Sequence, residues 1–362
     1  MIISRTPFRI SFFGGGTDYP AWYRSHGGRV LATAINKYCY ITCRYLPPFF
    51  EHRFRVVYSK IEDRMSAHEI AHPAVREILQ YLDVEQGVEI HHDGDLPARS
   101  GIGSSSSFAV GLLNAVYALK GAMHTRWDLA REAIHIEQNV LREAVGSQDQ
   151  VIAAHGGLNQ VEFLRNEEFI ITPLTLSADR IHELNGHLML FFTGISRIAS
   201  QVAKTYVENL GAKEKVLHEM GAMVDEAMAI LSDGGDIARF GRLLHEGWLA
   251  KRSLNSSIST SYVDQIYESA RQAGALGGKL LGAGGGGFML LFARPADHAR
   301  IRERLGNLIH VPFKFDFSGS RIIFYEPGDD YAAEHKERAL RTIEPFRDAG
   351  VAEMSLAAKQ PD

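Results

Sequence analysis

A chain of 362 residues has room for roughly two domains of ordinary size, and 45% hydrophobic with 23% charged residues exclude disorder as its main state. Lys and Arg number 39 against 43 Asp and Glu, a net charge of -4, so no bulk positive field exists to hold nucleic acid or an anionic membrane. The longest apolar runs, such as Leu188 to Phe192 and Phe288 to Ala293, fall far short of the roughly 18 residues of a membrane span.

In chain order, Arg5, Pro7 and Arg9 interrupt the first residues where an export signal needs an unbroken apolar stretch, which predicts a cytoplasmic protein. Residues 8–13 and 29–45 read as strands from alternating β-branched and aromatic positions. Cys39 and Cys43 fall on one face of the second and read as packing residues, since two thiols without a second ligand pair build neither a disulfide framework nor a zinc site. VEIHH (88–92) predicts another strand, whose adjacent His91 and His92 point to opposite faces and so make a poor metal pair. A loop follows, then a helix over 104–119 with Phe108, Leu112, Leu113, Val116 and Leu119 at helical spacing and Gly121 as its stop.

The stripe Ala130, Ala133, Ile134, Val140, Leu141 and Ala144 predicts a core-facing helix over 128–145. Strands are expected at 157–163 and 187–192, helices through 200–274, a strand at 288–293, and a polar helix and tail from about Tyr331. The domain boundary is placed near 165–185, giving domains at 1–175 and 176–345 and a polar tail at 346–362.

Glycine is the unevenly spread residue. PARSGIGSSSS (97–107) opens the helix at Ser104, and glycines beside the unpaired N–H groups of a helix N-terminus make a phosphate cradle, with serine hydroxyls as further donors. An ordinary helix cap gives a similar run. GAGGGG (282–287) formally fits GxGxxG, but a helix-like segment before it and a strand after it are the wrong surroundings for a dinucleotide fingerprint. A tight packing turn, or a second backbone surface beside phosphates, remains open. Glu137 is a carboxylate inside an apolar stripe and needs either an arginine or a magnesium ion. Asp149 follows a glycine at the expected end of the 128–145 helix and reads as a helix cap. Arg9 sits in a strand-like run, RISFFGGGTDY (9–19), where a core-facing arginine is unusual.

These segments, together with GSQDQVIAAHGGLNQVEF, TGISRIA and GALGGKLLGAGGGGF, occur in the order seen in the GHMP small-molecule kinases, which the chain resembles over about residues 2–330. The resemblance implies an α+β fold of two domains, N- and C-terminal, with the active site in the cleft between them. It implies ATP and Mg2+ as cofactors and a small-molecule sugar phosphate as partner; the members most similar to this chain phosphorylate the anomeric hydroxyl of a phosphorylated heptose. Another sugar 1-kinase, or a sensor that keeps the fold without turnover, are the alternatives, and a homodimer is left open.

Carried over by the resemblance, Pro97, Gly101, Gly103, Ser104, Ser105, Ser106 and Ser107 would wrap the ATP phosphates, and Ser105 with Glu137 would hold magnesium. Asp149 would be the base or anchor for the attacking hydroxyl, with Arg9 paired to it. Thr17, Asp18 and Tyr19 would meet the sugar, and Gly284 and Gly285 would border the cleft. Galactokinases carry Glu-His where this chain has Gly15 and Gly16, a change that suits a substrate continuing past C6 into a phosphate. Beyond the resemblance, the adjacent Lys251 and Arg252 in WLAKRS are the first candidates to meet that phosphate, a solvated helix face being the other reading.

Overall fold

The computed structural model describes residues 1–195, 213–328 and 331–340. The tail at 346–362, most of TGISRIA and the helix expected just after residue 200 lie outside the described residues. Two sheets organise the described residues. The first begins with β1 (Ile2–Phe13), passes through helix α1 (Pro20–His26) and returns as the 18-residue β2 (Gly28–Tyr45). The pair β3 (Phe54–Val57) and β4 (Ile61–Arg64), helix α2 (Pro73–Tyr81) and β5 (Val88–Gly94) follow. β2 is long enough to pair with β5 along its second half and with β6 (Leu158–Phe163) along its first, and β7 (Phe169–Pro173) continues from β6. Strands pair antiparallel throughout this sheet except β3 with β5.

Helix α3 (Ser104–Leu119) lies across β1 and β2. Gly111 allows the approach, because a Cβ there would come 2.9 Å from Thr6 Oγ1, and Ser107 Oγ donates to Pro7 O at 2.9 Å. Helix α4 (Arg126–His135) has a Thr125 capping box and runs into a single π-helical turn, Ile136–Val140. Residues 141–147 then leave the helix, and α5 (Gln148–His155) starts afresh. The expected continuous helix over 128–145 is therefore broken. Glu137, at the start of the π turn, faces inward as the stripe predicts, and the break lets Asp149 sit in the first turn of a new helix.

After α6 (Ala178–Gly186) the chain enters an antiparallel four-stranded sheet built from β8 (Leu188–Phe192), β9 (Ala275–Leu280), β10 (Phe288–Ala293) and β11 (Ile309–His310) in the order β11-β8-β10-β9. Helices α7 (Glu214–Ser232), α8 (Ala238–Leu254), α9 (Ser261–Gln272) and α10 (His298–Arg304) accompany it. α8 packs on β9 through facing glycines; a Cβ on Gly277 would lie 1.9 Å from Gly241 O.

Two expectations change here. The strand β9 falls in a stretch with no expected element, between the helices ending at 274 and the strand at 288–293, so GAGGGG is the turn of a β9–β10 hairpin. The last strand, β12 (Arg321–Tyr325), pairs antiparallel with β1 in the first sheet, and α11 (Ala332–Ala339) docks beside it through His335 and Arg338 to the carbonyls of Leu46, Pro48 and Phe50. Residues 321–325 and 332–339, within the expected second domain, thus lie with the first sheet. Cys39 and Cys43 are buried and free, as packing residues.

Candidate active site

Between the two sheets opens a cleft of about 920 Å³, lined by residues from β1, the 96–106 loop, the π turn, α5, α8 and the glycine hairpin. Its floor is an ion pair. Arg9 is 4% exposed, and its Nε and Nη2 donate to Asp149 Oδ1 and Oδ2 at 2.6 and 2.7 Å, the fork-to-fork geometry that fixes both groups. The third arm, Nη1, donates to Gly101 O at 2.6 Å, and the Arg9 backbone N–H donates to Ile102 O at 3.1 Å. One arginine thus holds the aspartate in place and ties β1 to the glycine loop.

That loop is shaped by left-handed residues: Gly101 and Gly103 have φ of 80° and 74°, and Gly103 ends directly in α3. A Cβ on Gly101 would lie 2.5 Å from Leu281 O, and one on Gly282 2.5 Å from Gly101 Cα. The two glycine loops therefore touch backbone to backbone, and Phe288 N donates to Ser100 O at 3.2 Å to seal the contact. Ser104, Ser105 and Ser106 line the cleft at the start of α3.

Glu137 is 2% exposed. Its Oε2 accepts from Ser106 Oγ at 2.7 Å and from Gln150 Nε2, and no cation pairs with it among the described residues. Burial first, then the Glu143 and Asp149 charges, push its carboxyl up to about 7 against the pull of the Ser106 bond. A buried carboxylate with only neutral donors, beside two serine hydroxyls at the cleft wall, is a hard oxygen donor set suited to magnesium; the arginine partner is excluded among the described residues.

Toward β1's end lies a second polar cluster. Asp18 is buried, with Oδ1 accepting from Gly16 N and Oδ2 from Gln148 Nε2, both at 2.8 Å, and its carboxyl is pushed up chiefly by burial. Gly146 makes room for it, since a Cβ there would lie 1.9 Å from Asp18 Oδ2. Ser11 Oγ and Gln148 Oε1 face the same cleft as buried atoms without a hydrogen-bond partner. Lys251 Nζ donates to Gly282 O and Leu280 O at 2.5 and 3.2 Å, and burial and Arg9 lower it to about 8. Lys279, from β9, donates to Phe12 O at 2.8 Å and is lowered well below its ordinary range, mainly by burial. Gly15, Gly16 and Tyr19 line this end too.

Five of the residues expected at the site face elsewhere, and Pro97 stands behind it. Thr17 is 2% exposed and its hydroxyl stitches Gly14 O to Arg29 O. Arg252 pairs with Asp264 at 3.0 Å and lies over Trp248, because neighbours on a helix point about 100° apart and Lys251 takes the cleft side. Gly284 and Gly285 pack on Ile258, leaving Gly282 and Ala283 to face the cleft. Ser107 is turned to Pro7, and Pro97 supplies a carbonyl to Ser100 Oγ at 2.6 Å. At the opposite end Tyr58, His72, His92 and Phe108 form an aromatic wall, with His72 and His92 both about 5 Å from Phe108. It escapes sequence reading because its rings come from four separate places, Tyr58 after β3, His72 at the N-cap of α2, His92 in β5 and Phe108 in α3; Lys279 escapes because 275–280 carries no expected element between the helices ending at 274 and the strand at 288–293.

The sequence profile of the GHMP kinase N-terminal domain matches residues 69–157, and that of the GHMP kinase C-terminal domain matches residues 223–309. The chain carries both GHMP kinase domains. As a GHMP kinase it is an ATP-dependent phosphotransferase. It is 27% identical over 331 residues to a D-glycero-alpha-D-manno-heptose 7-phosphate kinase of Campylobacter jejuni, covering 84% of this chain and 93% of that one. The likeness to a bifunctional fucokinase/GDP-fucose pyrophosphorylase of Arabidopsis thaliana is 27% over 330 residues, 83% of this chain but 30% of the plant protein. Among solved structures, a D-glycero-D-manno-heptose 1-phosphate kinase from Bacteroides thetaiotaomicron superposes with a TM-score of 0.73 and 25% identity, covering 90% of this chain and all of that one. Galactokinase of Lactococcus lactis shares the fold, with a TM-score of 0.67 at 18% identity.

Proposed function

We propose that this GHMP kinase transfers the γ-phosphoryl group of ATP to the anomeric hydroxyl of a phosphorylated heptose, D-glycero-D-manno-heptose 7-phosphate being the first candidate. The observation that carries the reading is the Arg9–Asp149 fork at the junction of a phosphate-type loop and a polar, lysine-flanked acceptor end. Phosphoryl transfer asks the protein mainly for alignment and charge neutralisation, and the cleft offers both. The α3 N-terminus and its serines receive the ATP phosphates, and the aromatic wall at Tyr58, His72, His92 and Phe108 receives the base. Glu137, with Ser105 and Ser106, holds Mg2+, which supplies countercharge to the phosphates.

Asp149 accepts the hydrogen bond of the attacking hydroxyl while Arg9 keeps the carboxylate aimed and faces the charge that moves toward the leaving oxygens. The unpartnered Ser11 Oγ and Gln148 Oε1 beside Asp18 suit a ligand rich in hydroxyls, since buried polar atoms left unpaired are costly. Lys251 and Lys279 supply positive charge to an acceptor that is itself an anion, and the missing side chains at Gly15 and Gly16 leave space for it. The relatives from C. jejuni and B. thetaiotaomicron, both named as heptose phosphate kinases, support this choice of acceptor.

An ADP-release assay with heptose 7-phosphate, unphosphorylated heptose, fucose, galactose and mannose tests it, with phosphorus NMR of the product to identify the new phosphate's position. Preference for the heptose phosphate and a new anomeric phosphate are expected. Better turnover of an unphosphorylated hexose replaces this reading with a simple sugar 1-kinase.

A further inference from the structure

Away from the cleft, the end of α1 and the first turns of α7 bring three ligand-type side chains together at the surface. His26, Glu214 and His218 each present one ligand atom within 4.8 Å of the other two. Nε2 of His26 lies 3.5 Å, and Nε2 of His218 3.6 Å, from the same atom, Glu214 Oε1. A direct charge-assisted hydrogen bond is shorter, about 2.7–2.9 Å. Ligand atoms about 2.0–2.1 Å from one tetrahedral zinc ion stand roughly 3.4 Å apart, so two edges of such a tetrahedron are already in place and the third, within 4.8 Å, closes by side-chain rotation.

The surroundings orient these groups. His26 Nδ1 lies 3.3 Å from Trp22 O; an Nδ1–H donated to that carbonyl leaves the Nε2 lone pair facing Glu214, which is the outer bond that sets the tautomer of metal-binding histidines. The His26 ring stacks on Trp22 at 4.0 Å, and His218 meets the same indole edge-on at 5.1 Å. Glu214 and His218 are four residues apart on one face of α7. The side chains are 32%, 56% and 57% exposed, which leaves a fourth position open to water.

We propose that His26, Glu214 and His218 form a surface site for a divalent transition-metal ion, with zinc as the reference ion, that clips α1 to α7. Two imidazoles and one carboxylate select zinc, nickel or copper over magnesium and calcium, so this site differs in chemistry from the oxygen set at Glu137. Because α1 starts immediately after Asp18 and Tyr19, the ion braces the acceptor wall from outside.

Calorimetric titration of the whole protein with zinc chloride, in excess magnesium to occupy oxygen-donor sites, tests the proposal. One zinc per chain is expected in the micromolar range, weakened at least tenfold by His26→Gln and by His218→Gln. Zinc is expected to raise the melting temperature of the wild type and of neither variant. Copper is expected to quench the fluorescence of Trp22, with the quenching lost in Trp22→Phe. Circular dichroism checks that the variants fold, and the exposed Glu214→Gln repeats the test should a histidine variant fail. Zinc binding no tighter than millimolar, or binding unchanged in all variants, overturns the site.

Discussion

Asp149 and Arg9 form a unit in which the aspartate has one productive orientation, so removing its charge without changing its shape isolates the chemistry. Asp149→Asn is expected to lower kcat by about 10² to 10⁴ while the KM for ATP stays near the wild-type value; steady-state kinetics check this, and near-normal turnover would end the proposed role. Glu137 gives a pH signature. Its folded pKa of about 7 is raised above the ordinary carboxyl value, so between about pH 4.5 and 7 the folded state binds more protons than the unfolded state. Stability without magnesium is therefore full below that window and falls as pH rises through it, by an amount on the order of 3 kcal/mol. Urea midpoints across the window should show the slope in the wild type and lose it in Glu137→Gln. The same variant should need more magnesium for half-maximal activity, because the ion binds the ionised form. Lys251 titrates in the opposite sense. Its pKa is lowered to about 8, so kcat/KM for an anionic acceptor should fall as pH rises past 8, and Lys251→Met should flatten that limb of the profile.

Local elements set who the acceptor is. The loop from β1 to α1 carries three glycines, but they are not equivalent. Gly14 and Gly16 have φ of 76° and 111° and accept no side chain without strain, whereas a Cβ on Gly15 would meet only Ser11 Oγ at 3.4 Å and Gln148 Nε2 at 3.7 Å. Gly15→Glu therefore folds and projects a carboxylate toward the acceptor end. It should raise the KM for a sugar phosphate through like-charge repulsion while leaving the KM for ATP and the melting temperature close to wild type; equal effects on both substrates would show that Gly15 does not face the acceptor. The π turn after α4 lies at the other end. It opens with Ile136 and Glu137, of which Glu137 meets Ser106 and Gln150 on the face that Ala130 and Ala133 set, and it shifts the helical phase of the residues that follow before the chain breaks.

Across the whole molecule, the first sheet is finished by the end of the chain. β12 covers β1, the strand that carries Arg9 and Ser11, and the buried Thr6 hydroxyl is 2.8 Å from that of Ser320. A chain ending at Gly319 should leave β1 as an exposed edge, with a lower urea midpoint and loss of the cleft's activity; a soluble truncated protein with unchanged midpoint would refute the dependence. Among the described residues no helix is long and apolar enough to cross a membrane.

Much of this was written in the residue order. Strand alternation in 8–13 and 29–45, the helix over 104–119 and the strand at 288–293 follow from local periodicity and glycine stops, which act over a few residues and need no partner. The glycine–serine loop at 97–107 and the inward carboxylate Glu137 were legible for the same reason, as a local pattern and as a charge in an apolar stripe, whereas the pairing of Arg9 with Asp149 came only with the resemblance. Direction was not. Whether Lys251 or Arg252 faced the cleft, whether Ser106 or Ser105 met Glu137, and whether Gly282 or Gly284 bordered the site depend on helix rotation and hairpin register, which are fixed by contacts between segments far apart in sequence. The return of β12 to the first sheet, the strand hidden in 275–280, Lys279 and the aromatic wall were decided only by tertiary packing. Each draws its place from burial against a distant partner, and no window of neighbouring residues contains that partner.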